Sequence, residues 1–338
     1  MFKMINVLYI GNALAQKGNT STTIDTLGDQ LSEFCNVSIA SNKSNKILRL
    51  LDMVWSVIKF NKRTDYVLID TYSTHNFYYA LVVSQFCRLL RIKYIPILHG
   101  GNLEKRLIHN SRLSKLLFSN ANKLVAPSKF LESIFLKYGY DNLSFIPNSI
   151  EIDNYTYRQR EINNLNLLWV RSFSSIYNPE LALLVLEELK SKGLNSNLTM
   201  VGPEVDGSMQ RTKALATEKK LDVKFTGKLS KKDWINLSKS HNIFINTTNI
   251  DNTPVSVIEA MALGLPVVST NVGGIPYLIQ DKKEGILVPP NDAKKMSDAI
   301  LEICNDVDLR KLISKNARSK VEDFDWDKIR YKWEQVLA

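Results

Sequence analysis

The sequence predicts an α/β chain made of two Rossmann-like lobes in tandem, each a parallel sheet covered by helices. Short apolar runs of strand length alternate with helical runs from the first residues onward. A polar stretch near residues 151–166 interrupts this rhythm without showing a period of its own. The rhythm then restarts and continues to the end of the chain. The 338 residues are enough for two separate cores.

In the first half, Val7–Ile10 has the length and β-branched content of a strand. A loop rich in glycine and polar residues follows, Gly11 to Thr20, and then a helix over Thr22–Phe34. Val37–Ala40 and Tyr66–Asp70 are short apolar strands, and Phe77–Leu90 is a long apolar helix. Tyr94–Leu98 ends at His99-Gly100-Gly101. Lys123–Ala126 ends at Pro127-Ser128, with a helix through Lys137, and Ser144–Ile146 ends at Pro147-Asn148. The second half has strands at Leu167–Val170, Leu198–Val201, Val223–Thr226, Ile243–Asn246, Val267–Thr270 and Ile286–Val288. Its helices are Pro179–Lys190, Lys294–Cys304 and Leu309–Val321, and Trp326–Leu337 closes the chain with Trp326 and Trp333 as apolar anchors. The expected division is 1–160, 161–322 and a last helix within 323–338. In such sheets ligands bind beyond the carboxyl ends of the strands, so a site is expected in the cleft between the lobes.

Hydrophobic content of 44% and charged content of 23% are ordinary for a globular protein. No apolar run is long enough to cross a bilayer. The first residues read as a strand and lack a signal peptide's apolar core and cleavage site. Three scattered cysteines suit neither a metal site nor a disulfide framework. A cytoplasmic protein is the expectation. The formal net charge is +10. Residues 1–160 hold 20 Lys and Arg against 11 Asp and Glu, whereas residues 161–338 hold 24 against 23. The basic excess is dense at Arg88, Arg91, Lys93, Lys105, Arg106, Arg112 and Lys115. It favours an anionic membrane surface or a lipid-phosphate-linked acceptor, or it is a solvated face with no partner. No nucleic-acid module accompanies it, so no nucleic-acid partner is expected.

The most informative stretch runs from Asp251 to Gly274. It reads as a polar loop, a short helix, a buried strand and a glycine turn. Thr253 is placed to cap the helix, Pro254 suits its first position, and Gly264 is placed to end it. The first-turn amides, from Val255 and Ser256 onward, have no intrahelical acceptors and suit an anion such as a diphosphate. Asp251 and Glu259 flank that site and suit sugar hydroxyls better than phosphate.

This stretch resembles the signature of the retaining glycosyltransferases of family 4, which have the GT-B fold: two Rossmann-like lobes with parallel sheets facing each other across a cleft. The family pattern is a glutamate, seven residues, a second glutamate, then Ala-Met-Ala, a glycine, Pro-Val-Val and a Gly-Gly pair. The resemblance implies that Glu259 binds the ribose of a nucleotide. It implies that Asp251, in place of the first glutamate and one methylene shorter, binds the transferred sugar. It also implies that the last helix crosses back to the first lobe.

Other residues carry the resemblance less fully. Arg171 matches the family's diphosphate-binding arginine, although Val170 stands where a glycine is usual. Tyr177-Asn178-Pro179 stands where a second phosphate-binding cation, a lysine, is expected. Either Arg171 and the helix amides suffice or another cation substitutes. His99 resembles the family's histidine near the donor sugar and acceptor, and Gly100-Gly101 would let a ligand approach the backbone. Lys17-Gly18-Asn19-Thr20 resembles the glycine loop beneath the donor, with Gly18 its glycine, and a plain turn is an equal reading. Asn148 resembles a cleft residue, and Gly273-Gly274 is expected to let amides approach the donor. Asp306-Val307-Asp308, an Asp-X-Asp triplet, follows no strand and reads as a helix cap. Neither a metal nor a cofactor is expected.

The implied activity is a metal-independent, retaining, hexosyltransferase-type glycosyltransferase. It would use a nucleotide-sugar donor, UDP before GDP, and a carbohydrate or lipid-linked acceptor in cell-surface polysaccharide assembly. It would be cytoplasmic, peripheral to the inner face of the membrane. A GT-B sugar-nucleotide 2-epimerase and a non-catalytic nucleotide-sugar-binding subunit are the alternatives.

Overall fold

The structure, a computed structural model, describes residues 4–13 and 23–338. These form two compact units, one of residues 1–147 with 326–338 and one of residues 148–325.

The first unit runs β1 (Ile5–Ile10), α1 (Thr23–Leu31), β2 (Cys35–Ala40), α2 (Lys46–Phe60), β3 (Tyr66–Thr71), α3 (Asn76–Leu89), β4 (Lys93–Leu98), α4 (Leu103–His109), α5 (Ser111–Phe118), β5 (Leu124–Ala126), α6 (Lys129–Lys137) and β6 (Leu143–Phe145). Its sheet has the order β2-β1-β3-β4-β5-β6, and every pairing is parallel. Successive strand residues point to opposite faces. Leu8, Ile10, Val67 and Ile69 therefore pack under α2, α3, α5 and α6. Val7, Tyr9, Leu68, Ile95 and Ile97 form the core of the other face.

The second unit runs β7 (Leu165–Val170), α7 (Pro179–Ser191), β8 (Ser196–Val201), α8 (Ser208–Glu218), β9 (Val223–Gly227), α9 (Lys231–Ser238), β10 (Ile243–Asn246), α10 (Val255–Ala262), β11 (Val267–Thr270), α11 (Ile275–Leu278), β12 (Ile286–Val288), α12 (Ala293–Asn305) and α13 (Val307–Val321). Its sheet is again wholly parallel, in the order β12-β11-β10-β7-β8-β9. Asp306 caps α13 by accepting from the Leu309 amide at 2.8 Å, the role its position in the sequence suggested.

The last helix, α14 (Trp326–Leu337), belongs to the first unit. Trp326, Ile329, Trp333 and Leu337 line one side of it and bury against Val7, Tyr9 and Ile95. Trp326 Nε1 also donates to Glu33 at 2.9 Å.

The units divide at Pro147 and not at residue 160, because the segment read as a linker is packed. The Ile150 amide donates to the Phe324 carbonyl, Tyr155 is buried, and the Arg160 guanidinium donates to the carbonyls of Ser238, His241 and Leu263.

Gly264 ends α10 as its sequence position suggested. Its φ is +75°, and the Gly264 and Leu265 amides donate back to Met261 and Ala260 in a Schellman arrangement. A Cβ there would run into the Arg158 carbonyl and the Tyr157 ring. Gly264→Ala is therefore expected to lower unfolding stability by about 1–3 kcal/mol, read from urea denaturation.

Candidate active site

In the second sheet the chain steps from β7 outward to β8 and β9, then returns to the other side of β7 as β10. The switch point thus lies between β7 and β10, and a crevice opens beyond their carboxyl ends. Arg171 follows β7 directly, and the loop Thr247–Asp251 follows β10. Buried polar bonds pin that loop. Trp169 Nε1 donates to Thr247 Oγ1 at 2.9 Å, and that hydroxyl donates to the Tyr177 carbonyl at 2.8 Å. The Asn249 amide donates to the Ile176 carbonyl at 2.8 Å. Tyr177 is thereby fixed with its ring beneath the Arg171 guanidinium, 4.1 Å from the ring centre. Arg171 Nη2 forms an ion pair with Asp251 Oδ2, and Asp251 Oδ1 accepts from the Asn252 amide at 2.9 Å. Arg171 Nε is buried with no hydrogen-bond partner among the described residues.

Helix α10 starts beside this pair. Its N-cap is Pro254 and not Thr253, one residue later than expected. The φ of Pro254 suits a helix, but its ψ of 118° is extended, so the first helical turn begins at Val255. The Pro254 carbonyl accepts from the Val257 and Ile258 amides, which leaves the Val255 and Ser256 amides in the turn that has no helical acceptor. Ser256 Oγ is buried there without a partner among the described residues. Asn148 Nδ2 donates to the Thr253 carbonyl at 3.3 Å, which brings Asn148 to this loop.

One turn along α10, Glu259 is buried. Its Oε1 accepts from the Tyr155 hydroxyl at 2.6 Å and lies 3.1 Å from Lys231 Nζ. Burial, and then the Glu259 carboxylate, push the Tyr155 phenol far above its usual pKa, so it stays protonated and donates. The Gly273-Gly274 pair closes the back of the Asp251 loop. A Cβ on either would run into the Asp251 or Asn252 carbonyl, and the Gly274 amide donates to Asp251 at 3.0 Å. The Gly274 amide is thus committed within the loop, and both glycines serve close backbone packing.

The first sheet has its own switch point, between β1 and β3. Asp70, near the end of β3, is buried. Its Oδ1 accepts from the Tyr9 hydroxyl at 2.9 Å and lies 2.8 Å from His99 Nε2, just past β4. A carboxylate only accepts, so His99 Nε2 carries the proton in this pairing. The His99 ring stacks on Tyr72, centroids 4.8 Å apart, and its amide donates to the Thr71 carbonyl. Asp70 Oδ2 is buried without a partner among the described residues. Gly18, with the rest of the expected glycine loop from Lys17 to Thr20, lies outside the described residues.

Comparison with known proteins fits this geometry. The family pattern described as Glycosyl transferases group 1 matches residues 159–320, and that described as Glycosyltransferase Family 4 matches residues 6–154. The chain belongs to glycosyltransferase family 4.

Among curated relatives, a putative colanic acid biosynthesis glycosyltransferase of Escherichia coli, WcaL, is 43% identical over 79 residues, covering 23% of this chain and 20% of that protein. The matched stretches span only about a fifth of the length of several such relatives. Solved structures cover far more. Sucrose-phosphate synthase from Thermosynechococcus elongatus superposes with a TM-score of 0.81 over 98% of both chains at 16% identity. Anabaena HepE, solved in complex with UDP and glucose, gives 0.75 at 18% identity over 98% of this chain and 99% of that one. These likenesses show the GT-B fold.

In this glycosyltransferase the second unit gathers Asn148, Arg171, Asp251, Thr253 to Ser256, Glu259, Gly273 and Gly274 around one strand-end crevice, and the first unit carries His99. Four neighbours were missed in the sequence. Tyr155 lay in the stretch read as a linker, and Lys231 opens a short polar helix. Asp70 and Tyr72 stand at the end of a strand, the one signal that could have found them.

Asp70 gives this site a stability test. Replacing it leaves the buried Tyr9 hydroxyl without its acceptor. Asp70→Leu is expected to cost about 1–3 kcal/mol, and combination with Tyr9→Phe should cost clearly less than the two single changes added together. Urea denaturation of the four proteins of the cycle measures this.

Proposed function

We propose that this glycosyltransferase moves a hexose, with retention of configuration and without a metal, from a nucleotide-sugar donor to a carbohydrate or lipid-linked acceptor. UDP is the proposed carrier before GDP, and cell-surface polysaccharide assembly is the proposed setting, at the inner membrane face. The observation that carries the proposal is the Arg171–Asp251 ion pair at the β7–β10 switch point, beside the open first turn of α10. A guanidinium, unpaired helix amides and an unpartnered serine hydroxyl make an anion site of diphosphate size. The carboxylate of the pair suits sugar hydroxyls.

Arg171 and the Val255 and Ser256 amides hold the diphosphate, Glu259 holds the ribose, Asp251 orients the transferred sugar, and His99 acts as a hydrogen-bonding group. The incoming diphosphate shares Arg171 with Asp251, and the buried Arg171 Nε is one further donor for it. In transfer, the bond between the anomeric carbon and the leaving phosphate oxygen breaks as the acceptor oxygen bonds to that carbon on the same face. The acceptor's proton passes to the leaving phosphate oxygen. Arg171 and the helix amides stabilise the charge growing on the diphosphate. Lys231, 3.1 Å from Glu259, is the cation proposed to offset the missing lysine. The polysaccharide setting is supported by the name of WcaL, and the UDP carrier by the solution of HepE with UDP and glucose.

Purified protein is expected to release UDP from a UDP-hexose, with or without EDTA, and NMR of the product should show the donor's anomeric configuration. Arg171→Ala should lower kcat/KM by about 10²–10³-fold. An inverted glycoside, an epimerised sugar nucleotide, or no turnover of any donor would overturn the proposal.

A further inference from the structure

The outer face of α2 is apolar where a surface helix should be polar. Ile47, Leu48, Leu51 and Trp55 are each more than half exposed, and Ile58 is 41% exposed. At 100° per residue these five fall within one arc of about 100° on the helix. The opposite face packs on the sheet and is the more polar one, with Arg49, Met53, Ser56 and Val57 buried. Its Arg49 donates to the carbonyls of Lys43 and Ser44. The helix is held in place by the Asn45 cap, which accepts from the Ile47 and Leu48 amides at 2.9 and 3.2 Å. This is an ordered helix with a second, outward-facing apolar stripe, and no described residue covers it.

Cations frame the face. Lys43 and Lys46 stand at its start, and Lys59, Lys62 and Arg63 at its end, all exposed. Asp52 is the one acidic residue between positions 43 and 63. Trp55 is also the one exposed tryptophan, because Trp169, Trp234, Trp326 and Trp333 are buried. An apolar stripe with a central tryptophan and flanking lysines matches a bilayer interface, where the ring sits at headgroup depth and the lysines meet anionic lipid. A protein partner would need acidic groups around an apolar groove. An anionic lipid surface supplies both features without specific fit. No described helix is long and apolar enough to cross a membrane, so the contact is peripheral.

We propose that α2 is the membrane-docking element of this glycosyltransferase, lying in the plane of an anionic bilayer with Leu48, Leu51, Trp55 and Ile58 inserted among the headgroups. This deepens the membrane setting proposed above and rests on it only for its biological purpose, since docking needs neither donor nor transfer.

The full chain is to be mixed with phosphatidylcholine vesicles with and without phosphatidylglycerol, some brominated on the acyl chains. Donor turnover on a soluble acceptor is to be measured in the same samples, so that a chain that docks but is inactive is distinguished from an active one that does not dock. Expected results are at least tenfold stronger binding to the anionic vesicles, and quenching of tryptophan emission by brominated lipid that Trp55→Phe largely removes. Leu51→Glu should weaken binding at least tenfold with an unchanged melting temperature, because the residue is exposed. Absence of binding to anionic vesicles, equal binding to neutral ones, or binding undiminished in Leu51→Glu would overturn the proposal. So would a dimer in buffer that Leu51→Glu disperses, which would assign the face to a second copy of the chain.

Discussion

A parallel sheet covered on both faces leaves its polar chemistry one place to go. β3, β10 and β11 are buried along their whole length. A charged group inside them would need a partner of its own. Hydrophobic burial thus fills the strands and pushes functional side chains to the loops at their carboxyl ends. Strand order then selects which loops matter. The chain reverses direction across the sheet between β1 and β3, and again between β7 and β10, and there the neighbouring loops splay apart. Asp70 and His99 cluster at the first switch point and Arg171 and Asp251 at the second.

The charged groups of these clusters pair with one another. Arg171 pairs with Asp251, Glu259 takes Tyr155 and Lys231, and Asp70 takes His99 and Tyr9. Partly buried charges stay stable only when paired, so these side chains hold one another. Under the function proposed here, a donor would enter by exchange, giving Arg171 a diphosphate to share and Glu259 a hydroxyl to accept. Among the described residues, Arg171 Nε, Ser256 Oγ and Asp70 Oδ2 are buried atoms that this internal pairing does not serve.

Helix α2 follows the reverse economy. Its buried face mixes Arg49 and Ser56 with Met53 and Val57, while leucines, isoleucines and a tryptophan face outward. Exposed apolar surface on this scale is costly in water and marks a surface meant for another phase or partner. The cations at both ends of the helix select the phase.

The strands, the α10 signature and its terminating glycine were legible in the sequence because they depend on local composition and period. Val267–Thr270 can be read as a buried strand, and Gly264 as a helix stop, from neighbours alone. Helix α2 was not among the elements read from the sequence, although its residues carry the helical period; that its apolar stripe faces outward is decided only in the fold. The segment 151–166 looked like a linker because the anchors of its Arg160, the Ser238 and Leu263 carbonyls among them, are distant in sequence. The cap of α10 moved from Thr253 to Pro254 because the ψ of one residue decides where a turn starts. The resemblance of the 251–274 stretch to family 4 implied which residues would bind a nucleotide sugar. Only the folded chain decided that Arg171 meets Asp251, that Lys231 and Tyr155 meet Glu259, and that Asp70 meets His99. Those meetings join residues far apart along the chain, and no local pattern encodes a contact made by sheet order.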